Sequence, residues 1–103
     1  MNFKAENKPK RGQVLARGVT RHLNSLGFVS LEEFMPAVGL RTDLFALGPK
    51  GEMWIIECKS SKLDFKSDNK WYKYLAWGDK FFWAVDQDFP LDILPEKTGI
   101  IIA

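Results

Sequence analysis

The chain has one cysteine, Cys58, and one histidine, His22, so it is poor in the two side chains that most often hold zinc or build nucleophilic sites. A single thiol excludes an internal disulfide framework and fits a reducing, cytoplasmic compartment. One thiol and one imidazole cannot complete a zinc site of the usual ligands, so any metal here is a hard cation held by oxygens. No Ser or Cys stands in an elbow motif that would make His22 part of a triad, so it reads as a partly exposed helix residue. There is no apolar run long enough to span a membrane and no stretch that reads as a signal peptide, and no membrane partner is expected. Internal repeats and low-complexity segments are lacking too. At 103 residues the chain has room for one domain.

What it does contain is rings. Eight Phe and four Trp, within an apolar fraction of 46%, imply a globular core filled by aromatics. The formal charge of +2 is too small to announce a nucleic-acid binder. Basic residues nonetheless gather at Lys4, Lys8, Lys10 and Arg11, and again at Lys59, Lys62, Lys66, Lys70 and Lys73. Solvated surface charge is the ordinary explanation of such clusters.

Residues 1–10 read as a loose basic arm and 11–103 as the folded domain. Leu15, Val19, Leu23 and Leu26 recur at helical spacing between Arg11 and Leu26, with Arg17, Arg21 and Asn24 on the opposite side and Gly27 placed to cap the end. Phe28–Met35, Thr42–Leu47 and Glu52–Ser60 read as strands, the last two joined by the turn-rich Gly48-Pro49-Lys50-Gly51. A second helix is expected over Asp68–Trp77, with Ser67 as N-cap, Gly78 as stop, and Trp71 and Leu75 in the core. Phe81–Val85 is a continuous apolar run suited to a strand buried on both faces. Thr98–Ala103 reads as a last strand. Because the chain stops inside it, the expectation is a truncated C-terminus. This order predicts an α/β fold, an α+β arrangement on a mixed sheet.

Strand alternation puts Asp43, Phe45 and Leu47 on one face, and Met53, Ile55, Glu57 and Lys59 likewise. Opposed residues of an antiparallel hairpin share a face. Pairing Leu47 with Met53 and Phe45 with Ile55 sets Asp43 opposite Glu57; a shift by two sets Asp43 opposite Lys59 instead. Either register collects two carboxylates and an ammonium at one end of an apolar face. Two such carboxylates repel unless one is protonated or a cation lies between them. Mg²⁺ suits that position, since it takes one or two carboxylates along with waters and a phosphate oxygen. Lys59 beside the ion could orient water or stabilise charge on the phosphate. Those parts suit metal-assisted phosphodiester hydrolysis. Surface residues on an ordinary strand are the alternative.

The segments Arg41–Leu47 and Gly51–Ser61 resemble the MmcB-like DNA-repair endonucleases of the PD-(D/E)xK superfamily. The likeness extends through Asp64-Phe65, Asp68, Lys70-Trp71, Tyr74, Asp79, Phe81–Val85 and Leu94-Pro95, and back to Arg17-Gly18 and Glu33-Phe34. The resemblance implies a restriction-endonuclease-like αβββαβ core, Mg²⁺ or Mn²⁺ as cofactor and DNA as substrate, with a homodimer by analogy. It carries over Asp43 and Glu57 as metal ligands, Lys59 as the catalytic lysine, and the Cys58 carbonyl as a further ligand, its thiol turned to the opposite face. Two departures stand out. Thr42 precedes Asp43 where the superfamily has Pro, and the first helix lacks the Glu many relatives carry there, Gln13 being the nearest polar substitute.

Glu33, on the face of Leu31 and Met35, could supply that carboxylate, with Glu32 facing away. Lys70 and Tyr74, one helical turn apart, could contact phosphate. Arg17, Arg21 and Lys73 could track a DNA backbone. The competing readings are a nucleic-acid-binding module without turnover and a protein-interaction domain retaining a remnant site.

Overall fold

The structure is a computed structural model and is described here for residues 11–103; the expected basic arm at 1–10 lies outside the described residues. Helix α1 spans Arg11–Ser25. Leu15, Ala16, Val19 and Leu23 form its buried stripe, while Leu26 lies past its end and is exposed. The helix stops as its sequence directs. Gly27 takes φ +87, its N–H donates to Asn24 O, and the Phe28 N–H reaches back to Leu23 O at 2.9 Å. That pair of bonds satisfies the last carbonyls and turns the chain into the sheet.

The strands are β1 (Val29–Glu32), β2 (Leu44–Leu47), β3 (Met53–Cys58), β4 (Lys80–Val85) and β5 (Gly99–Ile102), in the spatial order β1-β2-β3-β4-β5. The first three form an antiparallel meander; β4 joins β3 and β5 joins β4 in parallel. Parallel pairing needs a crossover, and residues 59–79 supply it. The hairpin register pairs Leu47 with Met53 and Phe45 with Ile55, the first of the two expected alternatives.

Alternation then sorts the core into two layers. Leu44, Ala46, Ile56, Cys58 and Ala84 meet α1, with Phe28, Trp54 and Phe82 beside them. Ile55, Phe81, Trp83 and Val85 point the other way, under Phe65, Trp71, Tyr74 and Phe89. This second layer is a ring assembly, with Phe65 edge-on to Trp83 at 5.1 Å and Phe81 edge-on to it at 4.9 Å. Its Trp83 indole donates to Thr98 Oγ1 at 3.1 Å, so the one polar atom of the buried ring is satisfied. Gly99 leaves no room for a side chain, since an added Cβ would run into the Phe82 ring.

Three expectations need correction. The crossover is not one helix over Asp68–Trp77; it is a short helix α2 (Lys62–Ser67), then a 3₁₀ helix over Trp71–Ala76. Ser61 caps α2 by accepting the Asp64 N–H, and Asp64 accepts the Ser60 N–H in return. Asp68 ends α2, because its Oδ1 takes the N–H groups of Lys70 and Trp71 and starts the second element there. Leu75 is 47% exposed and not core. With three residues per turn, Trp71 and Tyr74 share the inward side and Leu75 falls off it. The first strand is also shorter than Phe28–Met35, since Glu33 sits at φ +54 and breaks the extended run.

Candidate active site

Asp43 occupies a bend just before β2, and Glu57 and Lys59 lie at the C-terminal end of β3. The hairpin register carried one step past Leu44 and Ile56 brings Asp43 to Glu57, and hydrogen bonds fix them there. The Asp43 N–H donates to Glu57 Oε2 at 2.7 Å, and the Cys58 N–H donates to Asp43 Oδ2 at 2.7 Å. Each carboxylate is thus held by the backbone of the other strand. Thr42, fully buried, braces the bend: both its N–H and its hydroxyl donate to Phe34 O at 2.9 Å. The Glu33 N–H donates to Asp43 O from the other side.

Glu57 is 5% exposed. Burial, with the neighbouring Asp43 charge second, pushes its carboxyl up to about 8, against the opposing pull of the Asp43 N–H and Lys59. Asp43 is also raised, mainly by burial, and the Cys58 N–H and Lys59 hold it back. Burial and the Asp43 charge both favour the protonated form of Glu57. Lys59 is buried as well, its N–H bound to Ala84 O at 3.0 Å. Its ammonium pairs with Asp68 Oδ2 at 2.9 Å and lies 6.0 Å from the Trp83 ring centre. Asp68 is the residue that sequence reasoning missed as part of the site. Its sequence signal was its place nine positions after Lys59 at the head of a ring-rich segment, which reads equally well as a cap.

A cleft of about 440 Å³ opens between α1, the end of β1 and the end of β3, with Gln13, Arg17, Asp43, Ser60 and Asp64 in its wall. Glu32 and Glu33 both line it. The expectation that Glu32 faces away fails because Glu32 pairs with Leu44, whose side chain packs toward α1, so alternation turns Glu32 to the cleft, and the left-handed Glu33 joins it there. Glu57 and Lys59 are not in the cleft wall. Cys58 puts its side chain into the α1 layer as expected, where burial pushes the thiol well up and keeps it protonated. Tyr74 is turned to a structural task, its hydroxyl donating to Arg41 O at 2.9 Å, and burial with the nearby acids raises it to about 12. Arg21, Lys70 and Lys73 are exposed, as is Arg17 where it borders the cleft.

The family described as DNA repair protein MmcB-like matches residues 3–103. The chain belongs to the MmcB-like family. No curated protein matches it. Among solved structures it is similar to a protein of unknown function from Silicibacter pomeroyi, at 59% identity and a TM-score of 0.91 over 93% of this chain. This MmcB-like chain spans 66% of the length of that protein. It is also similar to a repair endonuclease from Pyrococcus abyssi, at 12% identity and a TM-score of 0.56, covering 93% of this chain and 47% of that one. The second likeness is one of fold: the MmcB-like chain shares its α+β architecture with that protein.

The donor set can be tested against a divalent ion. Among the described residues no group of three or more His, Cys, Asp or Glu is arranged to hold a metal. Asp43 and Glu57 are two carboxylates, each bonded to the backbone of the other's strand. Two hard oxygen donors fit Mg²⁺ or Mn²⁺, which keeps several waters, and do not fit a softer metal that needs a full protein cage. Among the described residues no helix is long and apolar enough to cross a membrane.

Proposed function

We propose that this MmcB-like chain is a metal-dependent DNA endonuclease, acting in DNA repair and hydrolysing phosphodiester bonds at Asp43, Glu57 and Lys59. The observation that carries the reading is the reciprocal bonding of the Asp43–Glu57 pair, which holds two carboxyl groups together in a poorly hydrated place. Folding spends stability to build such a pair, and a cation binding there recovers it. Mg²⁺ or Mn²⁺ would be held by these two carboxylates and the Cys58 carbonyl, and when bound supplies Lewis acidity and an ionised water.

The chain's own residues do the rest. The Asp43 and Cys58 N–H groups fix the carboxylates in one geometry, so no reorganisation is needed when the substrate arrives. Lys59 contributes a fixed positive charge to the site. Arg17 and Arg21, one turn apart on α1, and Lys70 and Lys73 on the opposite layer supply phosphate contacts that position DNA without reading its sequence.

The test is incubation of the purified protein with single-stranded, duplex and branched DNA, each with Mg²⁺, Mn²⁺ or EDTA. Metal-dependent cleavage of any form, lost in Glu57→Gln, supports the reading. A second reading, a nucleic-acid-binding module without turnover, is favoured by the lack of any Asp or Glu on the first helix, Arg11–Ser25, where the resemblance leads one to expect a carboxylate. Salt-sensitive binding with no cleavage under every metal would select it.

A further inference from the structure

The ammonium of Lys59 has two sets of anions within electrical reach, yet it bonds to the one outside the signature. Its Nζ lies 2.9 Å from Asp68 Oδ2, with both side chains about one-tenth exposed. Asp68 is itself clamped. Its Oδ1 accepts the Lys70 N–H at 2.8 Å and the Trp71 N–H at 3.0 Å, and its own N–H donates to Phe65 O at 3.1 Å. One oxygen is therefore fixed by backbone and the other is aimed at Lys59.

A buried lysine beside two acids has an obvious alternative partner in those acids. Were it to pair with Asp43 and Glu57, it would take up the oxygens that a divalent cation needs. We infer that Asp68 is a positioning residue that draws the Lys59 ammonium aside and keeps the Asp43–Glu57 pair open to a divalent cation. The inference rests on the metal-site reading above. The fields at the carboxylates agree with it: Lys59 stabilises both anions and Asp68 opposes it at both. The pair presents a partly cancelled charge to the site instead of a bare ammonium.

The test is Mn²⁺ titration of the full chain by calorimetry, with free Mn²⁺ followed by electron paramagnetic resonance. Asp68→Asn retains Oδ1 as the cap acceptor and removes only the anion. With Lys59 then free to swing onto the carboxylates, Mn²⁺ affinity should fall by about tenfold or more. The double variant Asp68→Asn, Lys59→Met should bind Mn²⁺ at least as tightly as wild type. Equal affinity in wild type and Asp68→Asn overturns the inference and leaves Asp68 a cap. Should Asp68→Asn fail to fold, the wild type decides. Its Lys59 ammonium resonance should be slow to exchange, show contacts to the Trp83 ring, and stay in place when Mg²⁺ is added; release on Mg²⁺ addition overturns the inference. A wild type that binds no Mn²⁺ is a different result, since it removes the metal site itself and this inference with it.

Discussion

The amide of Asp43 donates to the carboxylate of Glu57, a residue 14 positions later, at 2.7 Å. Here backbone on one side holds side chain on the other, so either carboxylate can be neutralised by mutation without cutting the tether.

Glu57→Gln and Asp43→Asn should therefore fold. With millimolar Mn²⁺ or Mg²⁺ the wild type should melt higher by several degrees, and both variants should lose that rise. In metal-free buffer at pH 8, Glu57→Gln should melt no lower than wild type, because it removes a charge that burial penalises. Thermal melts with and without EDTA check both outcomes.

The pH dependence has a definite sign. Glu57 lies near 8 in the folded chain and at its ordinary value of 4.5 when unfolded. The folded state holds this proton more tightly, so the contribution is fully present below about 4.5 and is lost as pH rises through about 8. Metal-free stability should fall across that window. The stabilisation by Mg²⁺ should grow across it, as the competing proton leaves. Urea melts at pH 5, 6.5 and 8 with and without Mg²⁺ would show both slopes, and Glu57→Gln should flatten them.

Lys59→Ala should abolish cleavage while leaving most DNA affinity. Loss of a charge at the reacting phosphate costs about two or three orders of magnitude in rate. Affinity rests on several phosphate contacts, so Arg17→Ala with Arg21→Ala should weaken binding and reduce its salt slope by about one to two. Cleavage assays beside binding titrations at several salt concentrations separate these effects.

Much of this site was legible in the chain because strand alternation and one turn decide it. Pairing Leu47 with Met53 and Phe45 with Ile55 leaves Asp43 and Glu57 little choice. Three things were not legible. Asp68 serves the backbone and Lys59 at once, and only three-dimensional placement shows that a capping residue is also a counter-ion. Glu33 adopts a left-handed conformation that its residue type does not announce, and so it stands beside Glu32 at a cleft from which alternation would have turned it. The 3₁₀ turn over Trp71–Ala76 answers to the rings of Phe81 and Trp83 below it, a tertiary demand that overrides helical periodicity.

Gly99 offers a test of packing away from the site. An added methyl would run into the Phe82 ring, and a ring wedged between Trp54 and β5 has little room to retreat. Gly99→Ala should cost about 1–3 kcal/mol by overpacking, read as a shift in the urea midpoint with an unchanged slope.

The order of the strands also sets an order of events. The hairpin of β2 and β3 is local, whereas the Lys59 amide finds its partner only in Ala84, on a strand that follows the whole crossover. Loop closure makes the near contact quick and the far one slow. The two acids are therefore expected to meet before the lysine backbone is anchored. In pulse-labelled hydrogen exchange during refolding, the Asp43 amide should gain protection ahead of the Lys59 amide. Simultaneous protection would mean that the acids come together only when the parallel half of the sheet closes behind them.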